Sequence, residues 1–436
     1  MLIQRTKTID IRHNTRVLTL LFMALMASVH PCHAQHVSDS LWNEDVRTVT
    51  LYRSGIDQEP PILLLGNSEK LVLAFDLLAD EPSLFRYTFR HCDAEWNIDD
   101  LETYEYMTGF EEAPIADYRQ SFTTLMPYYH YETAIPAAGT SFLVSGNYVL
   151  LVHPQDYPDS VVLTWRFRVS EELLSTQMEV VRPTSGVGIY ENQEVNAYIE
   201  PRSDLVFGDY TPFQFVPQYL KLYLQQNGRI DNQHLLAFQG YGGTKLCYRW
   251  NDANIFAGGN SFRYFDLSNL RSAMYNVQRV EEYGGETYAI IRPDEDRSRK
   301  HYEARESLNG GMKVNIWDRR DPQVEADYVW VNLSLPMERP FLNGSIHVVG
   351  ALTQWHLDDR SRMEWQPQYK AYTARLLLKQ GYYSYQLLFL HADESVALTA
   401  TLEGDHSETP NTYTLYVYYR TPADRYDRLL SVRKTK

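Results

Sequence analysis

The sequence predicts an all-β protein made of three consecutive antiparallel β-sandwich domains of the immunoglobulin or fibronectin type. Short segments alternate apolar and polar residues, and residues 161–169 are an example. Trp165 and Phe167 share one face of that segment, while polar and charged residues occupy the other. Turn-forming pairs such as Asn227-Gly228 separate the segments. No long segment shows the periodicity of an amphipathic helix.

Strands are predicted wherever this alternation recurs between turn signals. The alternation pauses at residues 170–190 and again at 317–327, which indicates two domain boundaries. The expected domains therefore cover residues 35–172, 173–322 and 323–436. The predicted strands lie at 70–78, 84–90, 146–153, 161–169, 219–225, 328–335, 345–350, 372–378, 382–389 and 413–419.

The amino-terminal residues have the pattern of a secretory signal peptide. Residues 1–16 carry four basic side chains and one acidic side chain, and residues 17–29 are apolar. The apolar run is shorter than the ~20 residues that cross a bilayer, so we expect no membrane span. The sequence predicts a signal peptide over residues 1–34, cleaved between Ala34 and Gln35.

Charge and composition exclude some classes of protein. Aromatic residues make up 13% of the chain and charged residues 22%, which is typical of a folded protein. The formal net charge is -15, and removal of the signal peptide would lower it to -18. An acidic chain of this kind is not expected to bind nucleic acid, because phosphate backbones require a clustered positive field.

Three cysteines are present, and none of them has the spacing of a metal site. Cys32 could carry a lipid anchor, but Pro31 before it fits a lipidation site poorly. Cys92 and Cys247 lie in different expected domains, so geometry disfavours a disulfide between them, although export would permit one.

Motifs that carry chemistry are missing from the sequence. Nucleophile elbows, phosphate loops, dinucleotide fingerprints and zinc-protease motifs do not occur. The run His91-Cys92-Asp93 could be drawn as a metal site, but neighbouring strand residues point to opposite faces. We therefore expect a non-enzymatic protein without metal, cofactor or small-molecule substrate.

The run from Tyr128 to Tyr131 is open to two interpretations. Alternating tyrosines would present one buried row and one outward row. They fit a strand with hydroxyl groups at the core edge, or a protein-binding strand, because tyrosine is enriched at interfaces. Tyr129 and Tyr131 are therefore candidates for contact with a partner.

Distinctive motifs recur along the chain, among them Tyr87 to Trp96, Phe256 to Asp266 and Leu378 to Tyr383. Together with the further motifs given below, they resemble the type IX secretion system plug family of Bacteroidota, and the resemblance extends over nearly the whole exported chain. In the family a glutamate is usual where Ser261 stands, and an aspartate-isoleucine pair where Ser307-Leu308 stand, so no role for an acid carries over to these positions. The matching motifs are Tyr87 to Trp96, Tyr106, Gly109-Phe110, Tyr118, Ser121-Phe122, Tyr128 to Tyr131, Ser145 to Tyr148, Gln226 to Arg229, Phe256 to Asp266, Asn309-Gly310, Leu342 to Gly344, Leu378 to Tyr383, Tyr418 to Arg420 and Arg425 to Leu429.

This resemblance implies a non-enzymatic periplasmic protein at the inner face of the outer membrane. Its implied partner is the outer-membrane translocon barrel, whose periplasmic end it would close. A sandwich of about 130 residues is roughly 36 Å across. A barrel of about 36 strands is roughly 70 Å across. One domain cannot cover that opening alone, so several domains would lie across it or the barrel would narrow its own mouth.

An alternative function comes from the third expected domain. Residues 345–355 and 378–385 resemble the early-set sandwiches that include starch- and glycogen-binding modules. Trp355 and Trp365 could then stack on sugar rings, because aromatic faces suit the apolar faces of sugars. The competing interpretation is that Trp355 fills the sandwich core.

Overall fold

The computed structural model describes residues 37–55, 59–184, 186, 188–201, 217–318 and 321–435. The expected signal peptide, with Ala34 and Gln35, lies outside the described residues. The described residues form strands joined by short turns, with two four-residue α-helices at Thr103–Tyr106 and Pro322–Glu325. Single helical turns lie at Pro217–Tyr219, Asp252–Asn254 and Ala351–Thr353.

The N-terminal module consists of two sheets that enclose one hydrophobic core, because alternate residues of each strand face inward. One sheet has the order β1-β12-β11-β5-β7, with β3 parallel to β12, and the other has the order β2-β4-β9-β8. β6 and β10 form a separate pair. The strands are β1 (Ser40–Leu41), β2 (Val46–Arg53), β3 (Ile62–Leu64), β4 (Leu71–Leu77), β5 (Phe85–Cys92), β6 (Met107–Thr108), β7 (Glu112–Ile115), β8 (Tyr118–Gln120), β9 (Tyr129–Ile135), β10 (Ser141–Phe142), β11 (Gly146–Pro154) and β12 (Leu163–Ser170).

The middle module also has two sheets around one core. Its sheets have the orders β13-β14-β18-β17, with β19 on β14, and β16-β15-β29-β30. The strands are β13 (Leu174–Val181), β14 (Asn192–Pro201), β15 (Leu220–Gln226), β16 (His234–Leu235), β17 (Gly240–Gly242), β18 (Lys245–Tyr248), β19 (Ile255–Ala257), β29 (Tyr413–Tyr419) and β30 (Arg428–Lys434).

The large-sheet module is a nine-stranded sheet in the order β20-β28-β25-β26-β27-β24-β22-β21, with β23 on β28. Its inward residues form a third hydrophobic cluster. The strands are β20 (Arg263–Asp266), β21 (Val277–Tyr283), β22 (Glu286–Ile291), β23 (Met312–Val314), β24 (Tyr328–Pro336), β25 (Gly344–Val349), β26 (Arg362–Gln366), β27 (Ala371–Lys379) and β28 (Gly381–His391).

The predicted all-β class is confirmed, and most strand pairs are antiparallel. The narrower expectation of three immunoglobulin- or fibronectin-like sandwiches stays a prediction. The sheets do not follow the expected division at 322/323, because hydrogen bonding crosses it in both directions. β15 pairs with β29, and β20 and β23 pair with β28. The apolar face of β29 completes the middle core instead of a C-terminal one.

Cys92 and Cys247 are both free and buried in the described structure. Burial raises the pKa of the Cys92 thiol, and the nearby Asp99 and Asp93 carboxylates add to that effect. Among the described residues, no helix is long and apolar enough to cross a membrane.

Candidate partner-binding site

A cavity of about 470 Å³ lies where the three modules meet. Its volume falls within the ordinary range of ligand pockets. We call it the central cavity. Each module contributes to its wall: residues 48–52 of β2, Gly228 after β15, and the loop and strand around Met312. Trp355 lines it as well.

A buried polar cluster lies at the junction of the N-terminal and large-sheet modules. The Lys379 ammonium donates to Asp76 Oδ2 at 2.6 Å, and the Tyr328 hydroxyl donates to the same oxygen at 2.7 Å. His130 Nδ1 lies 2.7 Å from the other oxygen, Asp76 Oδ1. All four side chains are almost fully buried. We call Asp76, His130, Tyr328 and Lys379 the Asp76 cluster.

The electrostatics of the Asp76 cluster follow from its burial. Desolvation lowers the pKa of Lys379, and the neighbouring Asp76 carboxylate opposes that change. Lys379 also donates to the Gln323 carbonyl at 2.7 Å, and its Nζ lies 4.2 Å from the centre of the Tyr128 ring. A buried pair with this many partners is expensive to break. The cluster therefore holds β4 against β27.

His130 has an unused hydrogen-bonding atom. Its side chain is 3% exposed and lines the central cavity. Its Nε2 makes no hydrogen bond among the described residues. If Nδ1 donates to Asp76, Nε2 carries a lone pair that can accept a hydrogen bond from a bound group.

The Arg168 guanidinium lies against aromatic rings at the junction between the N-terminal and middle modules. The Arg168 guanidinium lies 4.7 Å from the centre of the Trp96 ring and 3.7 Å from that of Tyr416. Arg168 Nε donates to the Tyr418 hydroxyl at 3.1 Å. Cation–π contacts with these two rings hold the guanidinium at the cavity wall.

The structure separates the two tyrosine candidates. Tyr131 is fully buried, stacks on Phe75 with ring centres 4.9 Å apart, and donates to the Ser83 carbonyl at 2.8 Å. Tyr131 therefore belongs to the core, in agreement with the first of the two interpretations, and its side chain is not accessible to a partner. Tyr129 is half-buried, and its hydroxyl donates to the Asp80 carbonyl at 3.1 Å.

Trp355 is half-buried against two turns. A Cβ atom at Gly310 would overlap its ring, and one at Gly228 would lie 3.9 Å away. Both glycines have positive φ, +84° and +78°, in the Asn-Gly pairs that the sequence identified as turns. Phe262 contacts the ring edge-on at 6.3 Å. Trp355 thus packs turns of the middle and large-sheet modules together, and the sugar-binding interpretation gains no support.

Neither the Asp76 cluster nor the contacts of Arg168 with Trp96 and Tyr416 could be predicted from the sequence. Lys379 stands in Lys379-Gln380-Gly381, which reads as an ordinary exposed turn. Its partner Asp76 lies 303 residues away in the sequence. The available signal was Asp76 itself, an acid inside an otherwise apolar strand. Ala34 and Gln35 lie outside the described residues, and Tyr129 and Trp355 do not meet in one site.

The fold and the cavity together show what class of protein this is. It is an all-β protein of three joined modules, and the cavity at their junction has the volume of an ordinary ligand pocket. Residues 46–171 match the family described as the type 9 secretion system plug protein 1st domain. This match confirms the predicted resemblance to the type IX secretion system plug family. No curated protein matched the chain.

A solved structure shares the fold over almost the full length. The crystal structure of a hypothetical protein from Parabacteroides merdae ATCC 43184 is 29% identical, with a TM-score of 0.87. The similarity covers 92% of this chain and 99% of that chain. The family match indicates a role related to type IX secretion, association with components of that system, and a location in the cell envelope.

Proposed function

We propose that this protein binds the periplasmic end of the outer-membrane translocon barrel of type IX secretion and seals it against leakage. The match of residues 46–171 to the plug first domain carries the proposal. In this role the protein is non-enzymatic, resides in the periplasm at the inner face of the outer membrane, and begins at Gln35 after signal cleavage.

Size supports a plug built from joined modules. Residues 37–436 form one compact unit. A compact chain of about 400 residues has a diameter of roughly 55 Å, against roughly 36 Å for one sandwich. A barrel of about 36 strands is roughly 70 Å wide. The joined unit approaches this width, whereas a single sandwich does not, so sealing requires the modules to stay together.

Outer-membrane permeability tests the proposal. Deletion of the gene should sensitise cells to vancomycin, which an intact outer membrane excludes, and a second deletion of the translocon barrel should remove the effect. Expression of the full chain should restore resistance, whereas a chain without residues 1–34 should not. Unchanged sensitivity in the single deletion would refute sealing.

A point variant links this test to the structure. Lys379→Met breaks the Asp76 cluster at the module junction and should raise vancomycin sensitivity at high growth temperature. Lys370→Met removes an exposed lysine next to the same strand, whose ammonium lies 3.1 Å from a Glu338 carboxylate oxygen, and should leave sensitivity unchanged. Immunoblots must show equal amounts of both variants. Equal sensitivity of the two strains would contradict the need for joined modules.

A further inference from the structure

A second cavity of about 280 Å³ adjoins the central cavity. The two share Glu59, Pro60, Thr414 and Lys434 in their walls, so they adjoin and make up one joined depression. We call it the joint groove.

One wall of the joint groove is a sheet edge. Residues 48–52 of β2 line the central cavity. β2 is the outermost strand of its sheet and pairs with β4 alone in the part of the chain that the structure describes. Thr50 lies half-buried along this edge. β2 has a bulge between Arg47 and Thr50, and its regular edge from Thr50 to Arg53 can accept an added peptide strand through main-chain hydrogen bonds.

Three cations in the groove wall have no acidic partner. Arg168, Lys313 and Lys434 line the central cavity, and none of them forms an ion pair within the described ranges. Lys313 and Lys434 are exposed. Unpaired cations along a groove are notable in a chain of net charge -15. They would attract an anionic group.

The acidic residues of the groove wall are already engaged. Asp39 lies 3.2 Å from Arg166, and Glu59 lies 3.4 Å from Arg53. Asp76 is held within the Asp76 cluster. Glu69 lies 3.7 Å from Arg53, and Glu172 accepts hydrogen bonds from the Ser170 hydroxyl and the Val432 N–H. Each carboxylate among the described residues of the wall therefore already has a partner within the protein.

We propose that the joint groove binds an extended acidic peptide segment. The segment adds as a strand along β2 and places its carboxylates against Arg168, Lys313 and Lys434. His130 Nε2 makes no hydrogen bond among the described residues and lies 3.9 Å from Glu132 Oε2, and it accepts a hydrogen bond from a donor on the segment. This inference concerns a ligand site and does not depend on the proposed role at the translocon.

Fluorescence anisotropy with a defined probe tests the site. The probe is a fluorescein-labelled short peptide of alternating aspartate and valine, titrated with the protein without its signal peptide at low salt. We expect saturable binding. The matched peptide with asparagine in place of aspartate should bind at least about tenfold more weakly, because it lacks the charge. Equal binding of the two peptides would overturn the proposal.

Variants of exposed lysines assign the binding to the groove without endangering the fold. The double variant Lys313→Gln/Lys434→Gln should weaken binding of the aspartate peptide about tenfold. Lys370→Gln removes an equally exposed lysine outside the groove and should leave binding unchanged. Full affinity in the double variant, or the same loss in Lys370→Gln, would show that the groove is not the site.

Modified probes test the strand geometry and the ligand class. N-methylation of one alternate set of amides in the aspartate peptide should abolish binding, because strand addition uses these N–H groups. If peptides methylated on either set bind as well as the parent, strand addition is wrong. If heparin displaces the probe at a lower concentration than the unlabelled peptide, the ligand class is a sulfated glycan and the peptide proposal fails.

Discussion

Removing the buried lysine at the module junction should be among the most damaging changes to this protein. In Lys379→Met, the Asp76 carboxylate stays buried without its cation, although Tyr328 and His130 still contact it. Breaking one side of such a pair costs about 3–5 kcal/mol of unfolding free energy. With an unfolding entropy of about 2.1 cal/mol/K per residue and roughly 400 residues, a loss of 4 kcal/mol lowers the melting temperature by about 5 °C.

Calorimetry or circular dichroism melting of the purified variants measures this shift. Lys370→Met is the control, because its exposed partner Glu338 contributes about 0–1 kcal/mol and a shift of about 1 °C or less. The double variant Asp76→Asn/Lys379→Met should lose less than the sum of the two single variants, because the first change already destroys the pair. Equal shifts for Lys379→Met and Lys370→Met, or strict additivity, would refute the reasoning.

Three further predictions concern buried groups. Burial lowers the pKa of His347, which lies 2.8 Å from the Ser361 hydroxyl, so the unfolded chain binds the proton more readily and stability should fall as the pH drops below about 6.5. In urea unfolding, His347→Gln should flatten this slope, and an unchanged slope would assign it to other groups. Gly310→Ala should destabilise by about 1–3 kcal/mol, because its φ is +84° and its Cβ would overlap the Trp355 ring. Gly284→Ala, at φ +64° in open space, is the control and should lose only about 1 kcal/mol; equal losses would rule out the overlap. Cys92 should resist iodoacetamide until the protein unfolds, as mass spectrometry would show, and rapid labelling of native protein would contradict its burial.

The positions of the strands could be predicted because alternate residues of a strand are buried, and this alternation is visible within a short segment of the sequence. The predicted segment 413–419 coincides with β29, and 328–335 with all but the last residue of β24. The same alternation does not indicate which strand pairs with which. β15 pairs with β29, with Leu222 opposite Val417, but either strand could pair with any other strand of the same alternation.

The candidate site was harder to predict because it depends on contacts between modules. On β9, Tyr131 faces the core of its own module, while His130 on the opposite side is buried with Asp76 beneath the large-sheet module. Both faces of β9 are covered at these residues, so the outward row that the alternating tyrosines predicted is not exposed. Lys379 likewise resembles a surface lysine until tertiary structure places it beside Asp76. A sequence records which residues can be buried next to their neighbours in the chain, and not which distant element will bury them.

The pairing of β15 with β29 also determines when the middle module can fold. About 190 residues separate the two strands, so the sheet closes only after β29 has been synthesised. Contacts of such long sequence separation slow folding, because the loop between them must be ordered first. Until then β15 presents an open edge to chaperones and proteases. A chain interrupted anywhere before β29 would keep that edge exposed, so only the completed chain can cover the open side of β15.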